Sequence, residues 1–387
     1  MKNQTRIQSA IGCFFLLSLL SLGIFAQTEK KPDEQSQEKP LARIETIEAK
    51  IPVRAFDALG KRVLDLKPKE VIVIENGAGR QVTSLKLEPA NILLVLDHSL
   101  EMGTYKHGRV RPPDPDAPSL PPVPPSGVGP NRWIAAPASV EFAETLIARL
   151  GETDHVAIIQ YSDKVELIQN WTANGKEARA ALRARFRQGH KTRFYDALRM
   201  AAETFKTGPA GRPVLVLLTD GVDTASQTPK DEAITALARS GVTIYAVNWS
   251  DAVKNEITRT KPRIVSGQGG TPRDTASASV SINIAPWIFK RNKGLKEYTK
   301  KAASNAAGLA QLAENSGGEG HLLKSFDELL GKPEQILEEI GAQYTLTYLT
   351  ERRANETTAR DLEVIGARTG LSVRARKKYY VGKDRAE

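Results

Sequence analysis

Four nearly unbroken apolar runs, at 92–96, 156–159, 214–218 and 242–247, constrain this chain more than any other feature. A strand with one wet face alternates apolar and polar side chains. A continuous apolar run of four to eight residues therefore fits a strand covered on both faces. Between the runs lie segments of helical period: Ala143, Leu146, Ile147 and Leu150 stand at i, i+3, i+4 and i+7, one face of a helix. Buried strands alternating with helices predict an α/β fold, a doubly wound and mostly parallel open sheet with helices on both sides.

The flanks have a different period. Over 45–88, Ile51, Val53 and Phe56 lead into an Ala58-Leu59-Gly60 turn. Val71, Ile72, Val73 and Ile74 meet Glu75-Asn76-Gly77, an Asn-Gly hairpin signal. Over 342–380, Tyr344-Thr345-Leu346-Thr347-Tyr348, Leu362-Glu363-Val364 and Leu371-Ser372-Val373 alternate again. The simplest expectation is that the two flanks, 44–89 and 341–380, pair in one sheet of a small antiparallel β domain. The α/β domain, 90–340, is then inserted between them, and a tail covers 381–387. The last helix is expected to open near Pro333, with Ile336, Leu337 and Ile340 on one face.

Two insertions interrupt the α/β part. Residues 106–132 are crowded with proline and read as an extended loop. Residues 251–294 are rich in Gly, Ser, Thr and basic residues and also read as a loop. Over 252–301 there are eleven Lys or Arg against three acids, a net of +8, in a chain of net charge +10. This segment reads first as a solvated loop; with Trp287 and Phe289 beside Lys290 and Arg291, a surface for an anionic envelope component is the alternative.

At the N-terminus, Lys2 and Arg6 precede an apolar run ending near Ala26. Residues 1–26 read as an export signal, with an uncleaved anchor as the alternative, and 27–43 as a polar linker. The expected location is the periplasm, the cell envelope or the exterior, and nucleic acid is not an expected partner. The single cysteine, Cys13, lies inside the signal, so thiolate metal sites and cysteine nucleophiles are excluded from the rest of the chain.

Chemistry concentrates where two apolar runs end. Leu93-Leu94-Val95-Leu96 runs into Asp97-His98-Ser99-Leu100-Glu101, and Val214-Leu215-Val216-Leu217-Leu218 runs into Thr219-Asp220-Gly221-Val222-Asp223. Open parallel sheets bind ligands beyond the carboxyl ends of their strands, where Asp97, Ser99, Glu101 and Asp220 emerge. Carboxylates with hydroxyls suit a hard divalent cation, Mg²⁺, Ca²⁺ or Mn²⁺. Asp196 reads as a hydrogen-bonding residue at a helix start. Asp223 reads as a support of the site or a solvated turn residue. None of the five histidines has metal-ligand spacing. His98 and Ser99, being adjacent on a strand, point to opposite faces, which argues against a hydrolase.

With these segments the chain resembles the von Willebrand factor A domain, a Rossmann-like fold, and within it the exported acidobacterial type. The stretch from Val53 to Glu75-Asn76-Gly77 resembles that type's leading β segment. Gln343-Tyr344 to Tyr379-Tyr380 resembles its closing one. The family's metal-ion-dependent adhesion site uses Asp-x-Ser-x-Ser, a Thr before a helix, and the Asp of Thr-Asp-Gly. The resemblance implies Asp97, Ser99, Thr192 and Asp220 as the cation-binding residues. It also implies a non-enzymatic protein-interaction module whose partner presents a carboxylate. The chain departs from the pattern in Leu100 for glycine, Glu101 for serine, and the spacing of Gly189 from Thr192. Glu101 is then either a direct ligand or a plug in the partner's position. A metal-independent envelope scaffold is the alternative function.

Overall fold

The computed structural model describes residues 44–99, 135–187, 189, 191–259, 285–353 and 356–381; nothing is described of the side chains in 135–138, at Val253, in 256–259 and in 285–298. The expected export signal, the linker, the proline-rich insertion, Glu101 and the tail beyond 381 lie outside the described residues. In chain order the elements are β1 (Ile44–Phe56), β2 (Val71–Glu75), β3 (Ala78–Arg80), β4 (Val82–Lys86), β5 (Ala90–Asp97), α1 (Ala135–Ala148), β6 (His155–Tyr161), β7 (Val165–Thr172), α2 (Gly175–Arg185) and α3 (Phe194–Lys206). They continue with β8 (Arg212–Thr219), α4 (Lys230–Arg239), β9 (Thr243–Asn248), α5 (Ser250–Arg259), α6 (Ala285–Asn315), β10 (Glu319–Leu322), α7 (Asp327–Gly341), β11 (Tyr344–Arg353), β12 (Ala359–Gly366), β13 (Ser372–Ala375) and β14 (Lys378–Tyr380).

The four apolar runs are β5, β6, β8 and β9, adjacent in a six-stranded sheet of order β10-β9-β8-β5-β6-β7. All neighbours pair in parallel except β7, an antiparallel edge strand. Alternation along each strand feeds two cores. Ile92, Leu94 and Leu96 of β5 pack with Phe142 and Leu146 of α1 and Ile336 and Ile340 of α7. Leu93 and Val95 pack on the opposite face with Leu198 and Phe205 of α3 and Leu237 of α4. Each fully buried side chain of this kind stabilises the fold by about 1.5–3 kcal/mol. That is why the runs carry no polar break.

The α/β fold class and its insertion into antiparallel β structure agree with the sequence reading, but the flanks do not make a single sheet. They form two four-stranded sheets, β13-β1-β11-β4 and β14-β12-β2-β3, each built from both flanks. Ile51 and Val53 of β1, Val73 of β2, Leu346 and Tyr348 of β11, and Leu362 of β12 meet in one core between them. One flat sheet leaves these inward side chains uncovered; folding it into two layers buries them. The Asn-Gly hairpin between β2 and β3 holds Asn76 at φ 48° and Gly77 at φ 79°, the left-handed pair such a two-residue turn requires.

Two further expectations are corrected. The described parts of the basic insertion are helical, α5 before it and the start of α6 after it. The amphipathic spacing of Leu295, Tyr298, Ala302, Leu309 and Ala313 marks α6, in which Ala302, Leu309 and Ala313 are buried. Pro333 stands inside α7 and not in its first turn. Asp327 and Glu328 open the helix two turns earlier, their charge favoured at a helix N-terminus. Among the described residues no helix is long and apolar enough to cross a membrane.

Candidate metal centre at the strand ends

From β5 the chain continues to β6 on one side, while β8 lies on the other, so the gap between the ends of β5 and β8 is the sheet's topological switch point. Asp97 closes β5 and Asp220 follows β8, so both carboxylates stand at this gap, 3% and 2% exposed. Each carboxylate folds back on its own turn. The Ser99 amide donates to Asp97 Oδ1 at 3.0 Å, and the Val222 amide to Asp220 Oδ1 at 2.9 Å. Two-residue loops of this kind are what Asp favours where a strand ends.

Thr192 reaches the same edge through its loop. Gly189 forms a parallel bridge with Ser99, and its amide donates to the His98 carbonyl at 3.2 Å. The Lys191 amide donates to Asp163 at 2.8 Å. The Thr192 carbonyl accepts from the amides of Thr224 and Ala225, and its amide donates to Thr224 Oγ1 at 2.9 Å. The loop thus lies across the strand ends, joined to the turn that holds Asp220, and Thr192 is buried there. The structure therefore brings Asp97, Ser99, Thr192 and Asp220 to one edge. Glu101 lies outside the described residues.

Asp196 and Asp223 build the surrounding frame. Asp223 accepts from the Phe194 amide at the start of α3 and from Ser226 Oγ, an acid at a helix N-terminus. Asp196 accepts from the amides of Gln227 and Thr228 and from Arg193. Those contacts hold its carboxyl below the ordinary range despite partial burial. Both residues splice the α3 start to the loop after Asp220.

Sequence reasoning missed two residues. Tyr161 closes β6, fully buried; its hydroxyl lies 3.1 Å from Asp97 Oδ2 and 2.7 Å from Thr219 Oγ1. Thr219 Oγ1 lies 3.3 Å from the same Asp97 oxygen and accepts the Gly221 amide at 2.9 Å. Thr219 stood in view in the Thr-Asp-Gly motif. Tyr161 had only one signal, a hydroxyl ending an otherwise apolar run.

Electrostatically the edge is strained. Burial pushes Asp97 up to about 6, against the opposing pull of the Ser99 amide and hydroxyl and of the Tyr161 and Thr219 hydroxyls. An ionised Asp97 beside Asp220 therefore gains from a positive charge. Ser99 Oγ is buried, and its hydroxyl acts on Asp97 without forming a well-aligned hydrogen bond. Among the described residues no group of three or more His, Cys, Asp or Glu is placed to hold a metal ion. The side chains brought to this edge offer two carboxylates and two hydroxyls, all oxygen, a chemistry that fits a hard cation better than a soft one. His98 takes no part with Ser99. Its Nδ1 lies 3.3 Å from Gln160 Oε1, its ring packs on Phe186, and burial pushes it down to about 4.

A sheet of this order, with acids and hydroxyls at its switch point, is an open α/β fold of the class that places ligand sites at that edge. Residues 128–270 match the von Willebrand factor type A domain, and the chain carries such a domain. That match begins beyond β5, so Asp97 and Ser99 are tied to the domain by the fold. No curated protein matches the chain in sequence. Among solved structures, an aerotolerance-related membrane protein of Bacteroides fragilis is similar at 16% identity and TM-score 0.37, over 65% of this chain and 98% of that one. A von Willebrand factor type A protein of Catenulispora acidiphila is similar at 11% identity and TM-score 0.39, over 89% and 74%. Proximal thread matrix protein 1 of the mussel byssus, in a structure with a zinc-occupied MIDAS motif, is similar at 15% identity and TM-score 0.38, over 66% and 48%.

Proposed function

We propose that this chain is an exported, non-enzymatic interaction module that binds a protein partner through a divalent cation held at the ends of β5 and β8. The observation that carries the reading is the buried pair Asp97 and Asp220 at the strand ends, with the buried Ser99 hydroxyl beside Asp97 and the Thr192 loop across the edge. Ionising a fully buried Asp97 is costly, and an oxygen-lined cation site removes that cost. A bound cation supplies a Lewis-acidic point for an anionic oxygen of the partner. The chain's own residues do the rest. Asp97 and Asp220 supply negative charge, Ser99 and Thr192 supply neutral dipoles, and Asp196 and Asp223 fix the loops. Glu101, four residues beyond Asp97, either joins the donor set or takes the partner's place.

His98 does not serve Ser99 as a base, since its Nδ1 faces Gln160. The metal-independent scaffold is the reading to beat. It has its own support in the internal bonds already made by both Asp97 oxygens. Capture from an envelope extract separates the two. The intact chain should retain a partner with Mg²⁺ or Ca²⁺ present and lose it with chelator, and Asp220→Ala should lose it under both conditions. Retention indifferent to chelator and to Asp220→Ala supports the scaffold.

A further inference from the structure

Arg54, Arg183, Arg352 and Arg360 each meet a carboxylate. Arg185, which ends α2, and Arg187, two residues on, do not: among the described residues neither makes an ion pair, and both are exposed. Their guanidinium groups are nevertheless fixed, by neutral acceptors. Arg185 Nη1 donates to the Ile168 carbonyl of β7 at 2.8 Å, and Arg187 Nη1 to the Phe186 and Ala184 carbonyls at 2.8 and 3.4 Å. A guanidinium carries five N–H donors in a rigid fork, so most of both forks stays uncommitted. The two arginines line one cleft of about 270 Å³ with Glu166, Leu167 and Ile168 of β7. Successive residues of a strand point to opposite faces, so a cleft lined by three in a row runs along the strand's edge. β7 is the outermost strand of its sheet. Leu167, 38% exposed, adds an apolar surface. Glu166 is held by Gln160 Nε2 at 2.9 Å, and one acid against two arginines leaves the cleft positive.

We propose that this cleft is a docking site for an extended acidic segment of a partner protein, whose main chain runs beside β7 and whose carboxylates pair with Arg185 and Arg187. Two fixed guanidinium forks without a counter-charge are matched in geometry and sign by carboxylates, which they can bind with two parallel N–H bonds. An open strand edge accepts an extended peptide main chain. A bare anion would use the forks and leave the strand edge and Leu167 without a role, which favours the peptide. The cleft lies on the flank of the strand-end edge. β7 stands two strands from β5, about 10 Å, so one partner can span the cleft and the ends of β5 and β8. The inference rests on the reading of the chain as an interaction module and not on the cation.

Fluorescence anisotropy of a labelled, capped hexaglutamate peptide, titrated with the full chain at low ionic strength and in chelator, tests this. Saturable binding is expected, weakening as salt rises. Arg185→Gln with Arg187→Gln should weaken it by at least about tenfold. Lys176→Gln with Arg179→Gln removes the same two charges from α2 outside the cleft and should weaken it by less than about threefold. Arg185→Lys with Arg187→Lys keeps the charge and loses the forks. It should also weaken binding, and it carries the test if the cleft's glutamine pair fails to give a cooperative melt. Equal loss in the two glutamine pairs, a lysine pair that binds as wild type does, or no binding by wild type overturns the proposal. Inorganic phosphate that displaces the peptide at the peptide's own concentration also overturns it, since a bare anion site then accounts for the arginines. With chelator present throughout, a failed cation site leaves this result standing, and a failed cleft leaves the Mg²⁺ and Ca²⁺ titrations untouched.

Discussion

At the scale of single residues, the site depends on how closely backbones approach. A Cβ on Gly189 meets Ser162 Oγ at 2.5 Å, Asp163 Oδ2 at 2.6 Å and the Asp163 amide nitrogen at 2.8 Å. A side chain there pushes the loop off the strand ends, and Thr192 moves with it. Gly189→Ala should therefore cost about 1–3 kcal/mol of stability, the usual range for overpacking. It should also weaken cation binding although no charge changes; a urea titration and a calorimetric titration check the two effects. Asp97, Ser99 and Asp220 were legible because an acid ending an apolar run is a visible break in pattern. Thr192 entered only through the family resemblance. Gly189 entered only as a departure from the family's spacing, its close approach existing only once the loop lies over the sheet, and Tyr161 was not legible, because it acts on a residue more than sixty positions away. Glu75 is a similar case. It reads as the start of an Asn-Gly turn, yet it is 1% exposed.

At the scale of elements, Glu75 joins the two antiparallel sheets. It stands at the end of β2 and accepts from Thr350 Oγ1 of β11 at 2.6 Å, Tyr348 of β11 at 3.2 Å, Arg360 of β12 at 3.0 Å and Tyr379 of β14, with Arg80 of β3 also at 2.8 Å. Burial alone raises its carboxyl. The hydrogen bonds from Thr350, Tyr379 and Arg360 outweigh that, and the group lies below its ordinary 4.5. A lowered carboxyl contributes stability that is present above the ordinary value and lost as pH falls through the folded one. The sandwich should accordingly lose stability below about pH 4.5, and Glu75→Gln should flatten that acid limb while lowering stability at pH 7. Urea unfolding followed across pH 3–7 checks both; an unchanged acid limb in the variant contradicts the assignment. The sequence showed that both flanks were β structure. Their division into two layers was not legible, because strand pairing between residues nearly three hundred positions apart leaves no local trace.

At the scale of the whole molecule, the end of the α/β sheet opposite the site is fastened to the sandwich by buried arginines. Arg54 of β1 is 2% exposed; it donates to Glu339 of α7 at 3.1 Å and to the carbonyls of Gly317 and Gly318 just after α6. Arg376 donates to the carbonyls of Gly241 and Val242 just after α4, and burial pushes it down to about 10. Arg212 at the start of β8 joins the Glu88 carbonyl and Gln343. Guanidinium groups at helix C-termini satisfy carbonyls that the helix leaves open and complement its dipole. Removing one partner of a buried pair such as Arg54 and Glu339 costs about 3–5 kcal/mol. The sandwich is thus bonded to the helix ends at that side of the sheet. It holds the far end of the sheet and leaves the strand-end edge, with Asp97 and Asp220, clear of that contact.

The central claim is that this edge holds a divalent cation, and calorimetric titration of the intact chain with Mg²⁺ and Ca²⁺ tests it most directly. The account predicts saturable binding by the wild-type chain. Asp97→Ala and Asp220→Ala should each weaken it by at least about tenfold, since each removes an anionic oxygen donor from a small site. Wild-type binding that both variants leave intact, or no binding at millimolar cation, contradicts it.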